Sequence, residues 1–552
     1  MTASTLAPSL RPTRLQIGLW AVLVVAMLII VAADFGASVA ISMDGSHYIV
    51  LAESLSNGPA YGLISRAPTP PDANHSPSPF PWGYPLLLSP LVAALPGRLD
   101  LLGLPSLVAT LVNICLIFWG WRWLGRGSTW WGLAVAGLYG LSPLTIDLAN
   151  RVFSEAVFTT FLLAGIIAIE GGVRRLPGRL PVWWQALTAA LLVMMVFTRT
   201  AGWAMLAGLF GYVLIRRRRG GLRPLAILSM WMAIWTACVV YLTPVSARDL
   251  LPTSYAQQLQ GMVEGDHRGD NDRGLSYPQT LLNLANRRLY RDIPSAVAPG
   301  LASGLARVLA ARWGLEAGLP WLGRAISLLL LLGFVRWARN GGASASLLAA
   351  APYLFVLMGW RVLGPRLLYP LQPQLFYALL CGLEALLLAL PPLRRPALRR
   401  RMIVLAGGIL ICLYAAIAVL SPADADYAHD LEERGRWLRA NTPPTATLMS
   451  RLPEIDFVFS RRRGLPYPRD IDAFSPEQLA AFLWAADVDF LIVEKQTGGW
   501  SLAGDDATPQ RSYRPDATLD HIGELAQTLH AQGRLQLRYR AANEFVAVYE
   551  VK

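Results

Sequence analysis

Residues 15–58 read LQIGLWAVLVVAMLIIVAADFGASVAISMDGSHYIVLAESLSNG: a membrane-length apolar run ending near residue 36 and then, about eight residues on, Asp44. A bilayer core about 30 Å thick takes about 20 apolar residues of helix. The run from Leu15 to Ala33 is too long for the core of a cleaved signal peptide and shows no convincing small-residue cleavage site, so it reads as a retained first membrane helix. The stretch from Ser42 to Gly58 reads as a short helix that Asp44 opens, with Ile49, Ala52 and Leu55 suited to lying along the membrane interface. Asp44 is then either the helix N-cap or a reactive carboxylate held at the outer membrane surface.

The same apolar pattern recurs to about residue 420. The chain has 552 residues, of which 54% are hydrophobic and 15% charged, with a mean hydropathy of +0.40. Soluble domains carry nearer a quarter charged residues, so a disordered chain, a coiled coil and an ordinary cytosolic enzyme are excluded. Eleven candidate spans fall at roughly 16–36, 105–124, 129–147, 153–171, 184–200, 202–216, 222–243, 320–337, 344–361, 366–390 and 402–420. The fold class is therefore mainly α, a polytopic transmembrane helix bundle.

The net charge of +13 invites a nucleic-acid reading, but the basic residues sit in short clusters between apolar runs. With the N-terminus cytoplasmic, the inner loops hold 19 arginines, while the outer segments before residue 244 and the 361–366 link hold six. Membrane topology accounts for that asymmetry, and the odd number of spans leaves the C-terminus outside. The expected location is a bacterial inner (cytoplasmic) membrane, with the tail periplasmic. Cys115, Cys238, Cys381 and Cys412 all lie in apolar runs and read as small buried hydrophobes.

Three outer segments are long: 37–104, 244–319 and the tail. Residues 1–420 form the expected membrane domain, and 421–552 a small soluble α/β domain in which charged residues return. Leu431 to Ala440 and Ser475 to Ala486 read as helices, and Val488 to Val493 and Phe545 to Tyr549 as strands.

Several residues at outer span ends are candidates for chemistry. Glu155 opens the fourth span with Arg151 one turn before it, either as a simple i,i+4 pair or as a second functional carboxylate. Arg66, Arg199 and Arg366 are outer-face cations, able to grip a phosphate bidentately or to snorkel to the headgroups. His47, Tyr48, Trp82, Tyr84, Trp203 and Tyr369 stand at the same level, where aromatic residues either contact a substrate or form the interfacial belt. The metal candidate is His267 with Glu264 or Asp266, against a solvated loop cluster; His47, His75, His429, His521 and His530 show no ligand spacing. Ser460-Arg461-Arg462-Arg463 is either an anion-binding patch or a solvated face.

Taken in order, several of these elements resemble the GT-C membrane glycosyltransferases, of the kind that includes protein O-mannosyltransferases and lipid A aminoarabinose transferases. They are Asp44 with Tyr48, Ala52, Leu55 and Gly58; Phe80-Pro81-Trp82-Gly83-Tyr84-Pro85; Ser154-Glu155-Ala156-Val157-Phe158; Thr198-Arg199 with Gly202; and Pro365-Arg366-Leu367-Leu368-Tyr369-Pro370. The resemblance covers about residues 15–420. It implies a GT-C helix bundle and an inverting transfer of sugar from a polyprenyl-phosphate donor to an outer-face acceptor, which would be a glycolipid, polysaccharide or protein.

Carried over residue by residue, the resemblance makes Asp44 the general base and Glu155 a second acidic position. Arg366, Arg199 and Arg66, in that order, would hold the donor phosphate, and His47, Tyr48, Tyr84, Arg151 and Tyr369 would contact substrate. No cofactor is required, nucleic acid is not a partner, and membrane lipid is. The pattern departs in one respect: some relatives place a lysine near the first loop, whereas the two lysines here are Lys495 and Lys552. The Trp-Trp-Asp-Tyr-Gly element of oligosaccharyltransferase catalytic subunits is also absent from the tail, against transfer of whole glycans to Asn. The rival readings are a lipid-linked glycan flippase or exporter, and an O-antigen polymerase or ligase. Neither requires a carboxylate directly after the first helix.

Overall fold

In a computed structural model of the chain, the residues described are 12–34, 41–57, 63–66, 80–124, 129–175, 181–216, 223–242, 277–298, 318–341, 344–359, 365–391, 395–420, 425–468, 471–494, 497–498, 513–514, 517–541 and 546–552. They fall into two compact units. The first comprises Met1–Phe35, Gly103–Thr243 and Tyr255–Pro422; the second Gly36–Leu102, Pro244–Ser254 and Ala423–Lys552. The first outer segment thus packs with the C-terminal residues rather than with the helices that flank it in sequence.

The first unit is helical. Its elements are α1 (Arg14–Asp34), then, beyond α2 and α3 of the other unit, α4 (Leu104–Trp119), α5 (Trp121–Leu124), α6 (Thr129–Gly140), α7 (Pro143–Ala149), α8 (Glu155–Arg175), α9 (Val182–Thr198), α10 (Gly202–Arg216) and α11 (Arg223–Leu242). After these come α12 (Tyr277–Arg287), a π turn at Arg288–Asp292, α13 (Ile293–Val297), α14 (Leu319–Gly341), α15 (Ala345–Gly359), α16 (Pro365–Leu368), α17 (Gln372–Ala389) and α18 (Pro396–Leu420).

Each of the eleven apolar runs is helical, but not all reach membrane length. Among the described residues, Arg14–Ala33, Leu99–Trp119, Glu155–Gly172, Leu319–Asn340 and Pro365–Ala389 are long and apolar enough to cross a bilayer. Thr129–Gly140 with Pro143–Ala149 adds a sixth if the pair, bent by 60°, is one span. Pro143 accounts for the break, having no N–H to continue the ladder. Val182–Thr198, Gly202–Arg216, Leu225–Cys238, Ala345–Met358 and Arg401–Ile417 are apolar but shorter. Fifteen helical residues rise about 22 Å, less than the bilayer core. Arg199 is extended (φ −150°, ψ 132°) between α9 and α10, at the short break between the expected fifth and sixth spans.

Small residues set the closest helix crossings. A Cβ on Gly333 of α14 would lie 1.8 Å from the Ala378 carbonyl oxygen of α17, and one on Gly208 of α10 would lie 1.9 Å from that of Leu348 in α15. Outward, Val22, Val25 and Ile29 of α1, Leu328 and Leu331 of α14, and Leu405, Ile409 and Leu413 of α18 are exposed, as a lipid-facing surface requires.

The second unit contains α2 (Met43–Asn57) and α3 (Gly83–Ala94), and then α19 (Ala425–Asn441), β1 (Thr447–Ser450), α20 (Pro453–Ser460), β2 (Arg463–Pro466), α21 (Pro476–Ala485) and β3 (Phe490–Glu494). A two-stranded ladder of β4 (Thr497–Gly498) and β5 (Tyr513–Arg514) follows, then α22 (Ala517–Ala531), β6 (Leu535–Arg540) and β7 (Val546–Val551). The main sheet runs β2-β1-β3-β7-β6, with β1 parallel to β2 and β3, and β7 antiparallel to β3 and β6. Alternation along the strands sends Met449, Leu491, Val493 and Tyr549 to a face covered by α21 and α22. Leu448, Ile492 and Val548 point to the other face, against Leu438 of α19. Ser475 caps α21 in a reciprocal capping box with Gln478.

The helix expected along the membrane interface is instead enclosed. Every residue of α2 from Gly45 to Ser54 is buried. Sequence amphipathicity could not foresee this, because the cover comes from α3 and from α20, about 400 residues away in the chain.

Candidate functional site

In the first unit the site assembles around the N-terminus of α8. Ser106 of α4 donates its hydroxyl to the Phe153 carbonyl (3.0 Å), fixing the turn that delivers Ser154 and Glu155 to the helix start. A carboxylate there is favoured by the helix dipole. Glu155 is fully buried, and its Oε1 lies 2.7 Å from Arg199 Nη1 and 3.1 Å from Arg366 Nε. Arg199 Nη1 also donates to Ser154 Oγ (3.1 Å), and the Arg366 guanidinium stacks over the Phe153 ring at 4.7 Å. Arg199 is buried, whereas the Arg366 side chain keeps 34% of its surface exposed.

Two guanidiniums therefore share one carboxylate, and one of them reaches the surface. Glu155 Oε2, buried as well, accepts no hydrogen bond among the described residues. Arg151 does not pair with Glu155; its Nε and Nη2 both contact Asp147 Oδ1, at 2.7 and 2.5 Å. The i,i+4 partner of Arg151 thus lies before it in the chain.

Behind this cluster a hydrogen-bonded layer ties the helices together. Tyr369, one turn after Arg366, is buried and accepts a short hydrogen bond from the Tyr139 hydroxyl. Asn113 Nδ2 bridges Tyr139 Oη (3.0 Å) and the Ala156 carbonyl (2.9 Å). Gln372 donates to Ser142 Oγ (2.9 Å) and to the Ala296 carbonyl (2.8 Å), and accepts from Thr145 (3.1 Å). Residues 293–297 of the expected second outer loop are thereby docked onto the start of α17. Sequence reading missed Asn113, Tyr139 and Gln372; polar residues inside apolar runs were the available signal.

In the second unit, the Ser42 hydroxyl accepts the Gly45 N–H (3.0 Å), so Ser42 is the N-cap of α2 and Asp44 is not. Asp44 sits in the first turn, half-buried. His47 Nδ1 lies 2.8 Å from the Met43 carbonyl and must be the donor there, which turns Nε2 toward Glu454 Oε2 at 3.7 Å. Arg66 places both Nε and Nη2 2.6 Å from Glu454 Oε1. Tyr48 and Tyr84 are buried edge to face, with ring centres 4.9 Å apart, and Phe80 packs on both His47 and Tyr48 at 5.0 Å. Trp82 is buried with them, whereas Trp203, on α10 of the first unit, is exposed.

Within the arginine run in the tail, Arg461 and Arg462 are committed to partners, whereas Arg463 is exposed. Arg462 is buried and donates to the carbonyls of Ser460, Arg439 and Thr442, and Arg461 Nη1 contacts both oxygens of Glu53 at 2.7 and 2.8 Å. His267, Glu264 and Asp266 lie outside the described residues. Among the described ones, no group of three or more His, Cys, Asp or Glu is arranged to hold a metal ion.

No family model matches the chain, and no curated protein sequence does. Solved structures do. The oligosaccharyltransferase AglB of the archaeon Archaeoglobus fulgidus, in complex with an inhibitory peptide and a dolichol-phosphate, superposes with a TM-score of 0.52 at 12% identity, covering 91% of this chain and 74% of that one. A second structure of the A. fulgidus oligosaccharyltransferase, with zinc and sulfate, gives 0.53 at 14% identity, covering 90% and 73%. ArnT from Cupriavidus metallidurans bound to undecaprenyl phosphate gives 0.49 at 14% identity, covering 96% and 97%. What is shared at such identities is the fold alone.

Proposed function

We propose that this chain is an inverting GT-C glycosyltransferase that moves a single sugar from a polyprenyl-phosphate donor to an acceptor hydroxyl at the outer membrane face. The observation that carries the reading is the cluster at the start of α8, where Arg199 and Arg366 gather at Glu155 and the Arg366 side chain reaches the surface. A lipid phosphate is the complementary ligand, because a guanidinium fork matches its oxygens and stays charged at any working pH. The structural relative AglB, solved with a dolichol-phosphate, supports a lipid-phosphate carrier for the fold. Glu155 holds the two guanidiniums, and a sugar hydroxyl would satisfy its buried Oε2.

In the reaction, the Asp44 carboxylate takes the proton of the acceptor hydroxyl. The oxygen lone pair forms the new bond to the anomeric carbon, and the bond from that carbon to the phosphate oxygen breaks, its electrons leaving on the lipid phosphate. The arginines stabilise that developing charge, so no separate acid is needed. Arg66, committed to Glu454, serves α2 rather than the phosphate. The tail lacks the Trp-Trp-Asp-Tyr-Gly element, which favours a single sugar over a whole glycan.

The test compares cells lacking the protein with cells complemented by wild type or by Asp44→Asn, following polyprenyl-phosphate sugars and outer-face glycoconjugates together by mass spectrometry. One lipid-linked sugar should accumulate, with matching loss from a glycoconjugate, in both the null and the Asn strain. Full rescue by Asp44→Asn would refute the mechanism and favour a flippase, polymerase or ligase.

A further inference from the structure

The C-terminal residues contact the first outer segment through side chains that have no evident task in their own sheet. Glu454, in the first turn of α20, has a side chain only 4% exposed, yet its carboxylate is committed to Arg66 and faces His47. Arg461, just past the other end of α20, is committed to Glu53 near the end of α2. The backbone joins in: the Gly464 N–H of β2 donates to the Ser65 carbonyl (2.8 Å), and Arg66 bridges Gly464 in parallel register, extending the sheet edge. Arg461 also adopts φ +61°, a left-handed conformation in which Gly or Asn is at ease and a long side chain is uncommon. An arginine held there is explained by its two contacts to Glu53.

We infer that α20 is a positioning element for the catalytic segment: Glu454 holds Arg66 in the stretch that follows α2 and faces His47 in its first turn, Arg461 grips α2 near its end through Glu53, and together they fix the orientation of Asp44. The inference rests on the proposed role of Asp44 and gives the C-terminal domain a duty other than acceptor recognition. Asp44 lies one turn from His47 on a two-ended helix whose every residue from Gly45 to Ser54 is buried, so rotating or sliding α2 moves the carboxylate. A general base displaced by about 1 Å can lose about 100-fold in rate.

The experiment uses the full chain in detergent and two readouts, hydrogen exchange of the amides in residues 43–57 and steady-state sugar transfer. Arg461→Asn, which suits the left-handed backbone and removes the contacts to Glu53, should speed exchange across α2. It should lower kcat roughly 100-fold with donor KM little changed. Arg461→Lys, which keeps the cation, should recover most of both. Glu454→Gln tests the other end independently, and the pair Glu53→Arg with Arg461→Glu should perform better than either single change. Unchanged exchange in both Arg461→Asn and Glu454→Gln would overturn the grip. Faster exchange with undiminished transfer would overturn the positioning role. If even the wild type transferred no sugar, the functional reading would fail, while the exchange data would still decide the grip.

Discussion

Glu155→Gln isolates the electrostatics at the start of α8. The carboxylate is fully buried, with Arg199 2.7 Å and Arg366 3.1 Å from one of its oxygens. With an effective dielectric of about 20, each contact contributes about 5–6 kcal/mol of Coulomb attraction. Desolvation of Glu155 and Arg199 offsets most of that, and the contact to Arg366, one-third exposed, is weakened further by solvent. The neutral amide removes the counter-charge that Glu155 gives to Arg199 and Arg366, a change that costs about 3–5 kcal/mol where one partner of a buried pair is removed.

At the lower end of the usual temperature scale for larger chains, that loss corresponds to a fall of about 5–10 °C in the unfolding midpoint. A bound phosphate supplies the missing negative charge, so undecaprenyl phosphate should raise the midpoint of the variant more than that of the wild type. A tenfold gain in lipid-phosphate affinity would add about 1.4 kcal/mol to that rise. The assay is a thermal melt in detergent followed by tryptophan fluorescence, with and without the lipid phosphate. A variant that melted with the wild type and gained nothing extra from the ligand would refute the role of Glu155 as the counter-charge to these arginines.

Asp44→Asn should lower kcat by about 10²–10⁴-fold, the usual worth of a general base, while lipid-phosphate binding measured by the same melts is unchanged. Asp456 is held above its ordinary value of 3.8, chiefly by burial, with Arg434 opposing the shift and Glu494 adding to it. The folded state therefore keeps a proton that the unfolded chain has released, so this group stabilises most at low pH and its contribution is lost as pH rises above about 4. Asp456→Asn should remove that slope, and the difference between variant and wild-type midpoints should grow from pH 4 to pH 8; a constant difference would sink the idea. Gly333→Ala should cost about 1–3 kcal/mol by forcing α14 from α17, because its Cβ would meet the Ala378 carbonyl at 1.8 Å. Gly211→Ala, which meets nothing within 4 Å, is the control, and equal melting of the two would refute the packing argument.

The eleven apolar runs and the return of charged residues in the tail were legible in the sequence, as were α21 and, to within two residues, β3 and β7. Those features are local: a run of apolar residues, a Ser475 cap, or a five-residue strand buried on both faces is written into neighbouring side chains. It also picked out Asp44, Glu155, Arg199 and Arg366 as groups that a membrane chain has reason to keep. Which of them meet was decided by tertiary structure. Arg151, one turn before Glu155, turns back to Asp147, and Glu155 takes its partners from α16 and from the end of α9.

Likewise, Arg66 pairs with Glu454 across 388 residues and Arg461 with Glu53 across 408, distances over which periodicity carries no information. Helix length was decided in the same way, since the chain bends by 60° at Pro143 inside the 129–147 run that hydropathy treats as continuous. Hydrophobicity and propensity act on a residue and its near neighbours. Ion pairs, caps and buried hydrogen bonds depend on which surfaces the packed helices bring together.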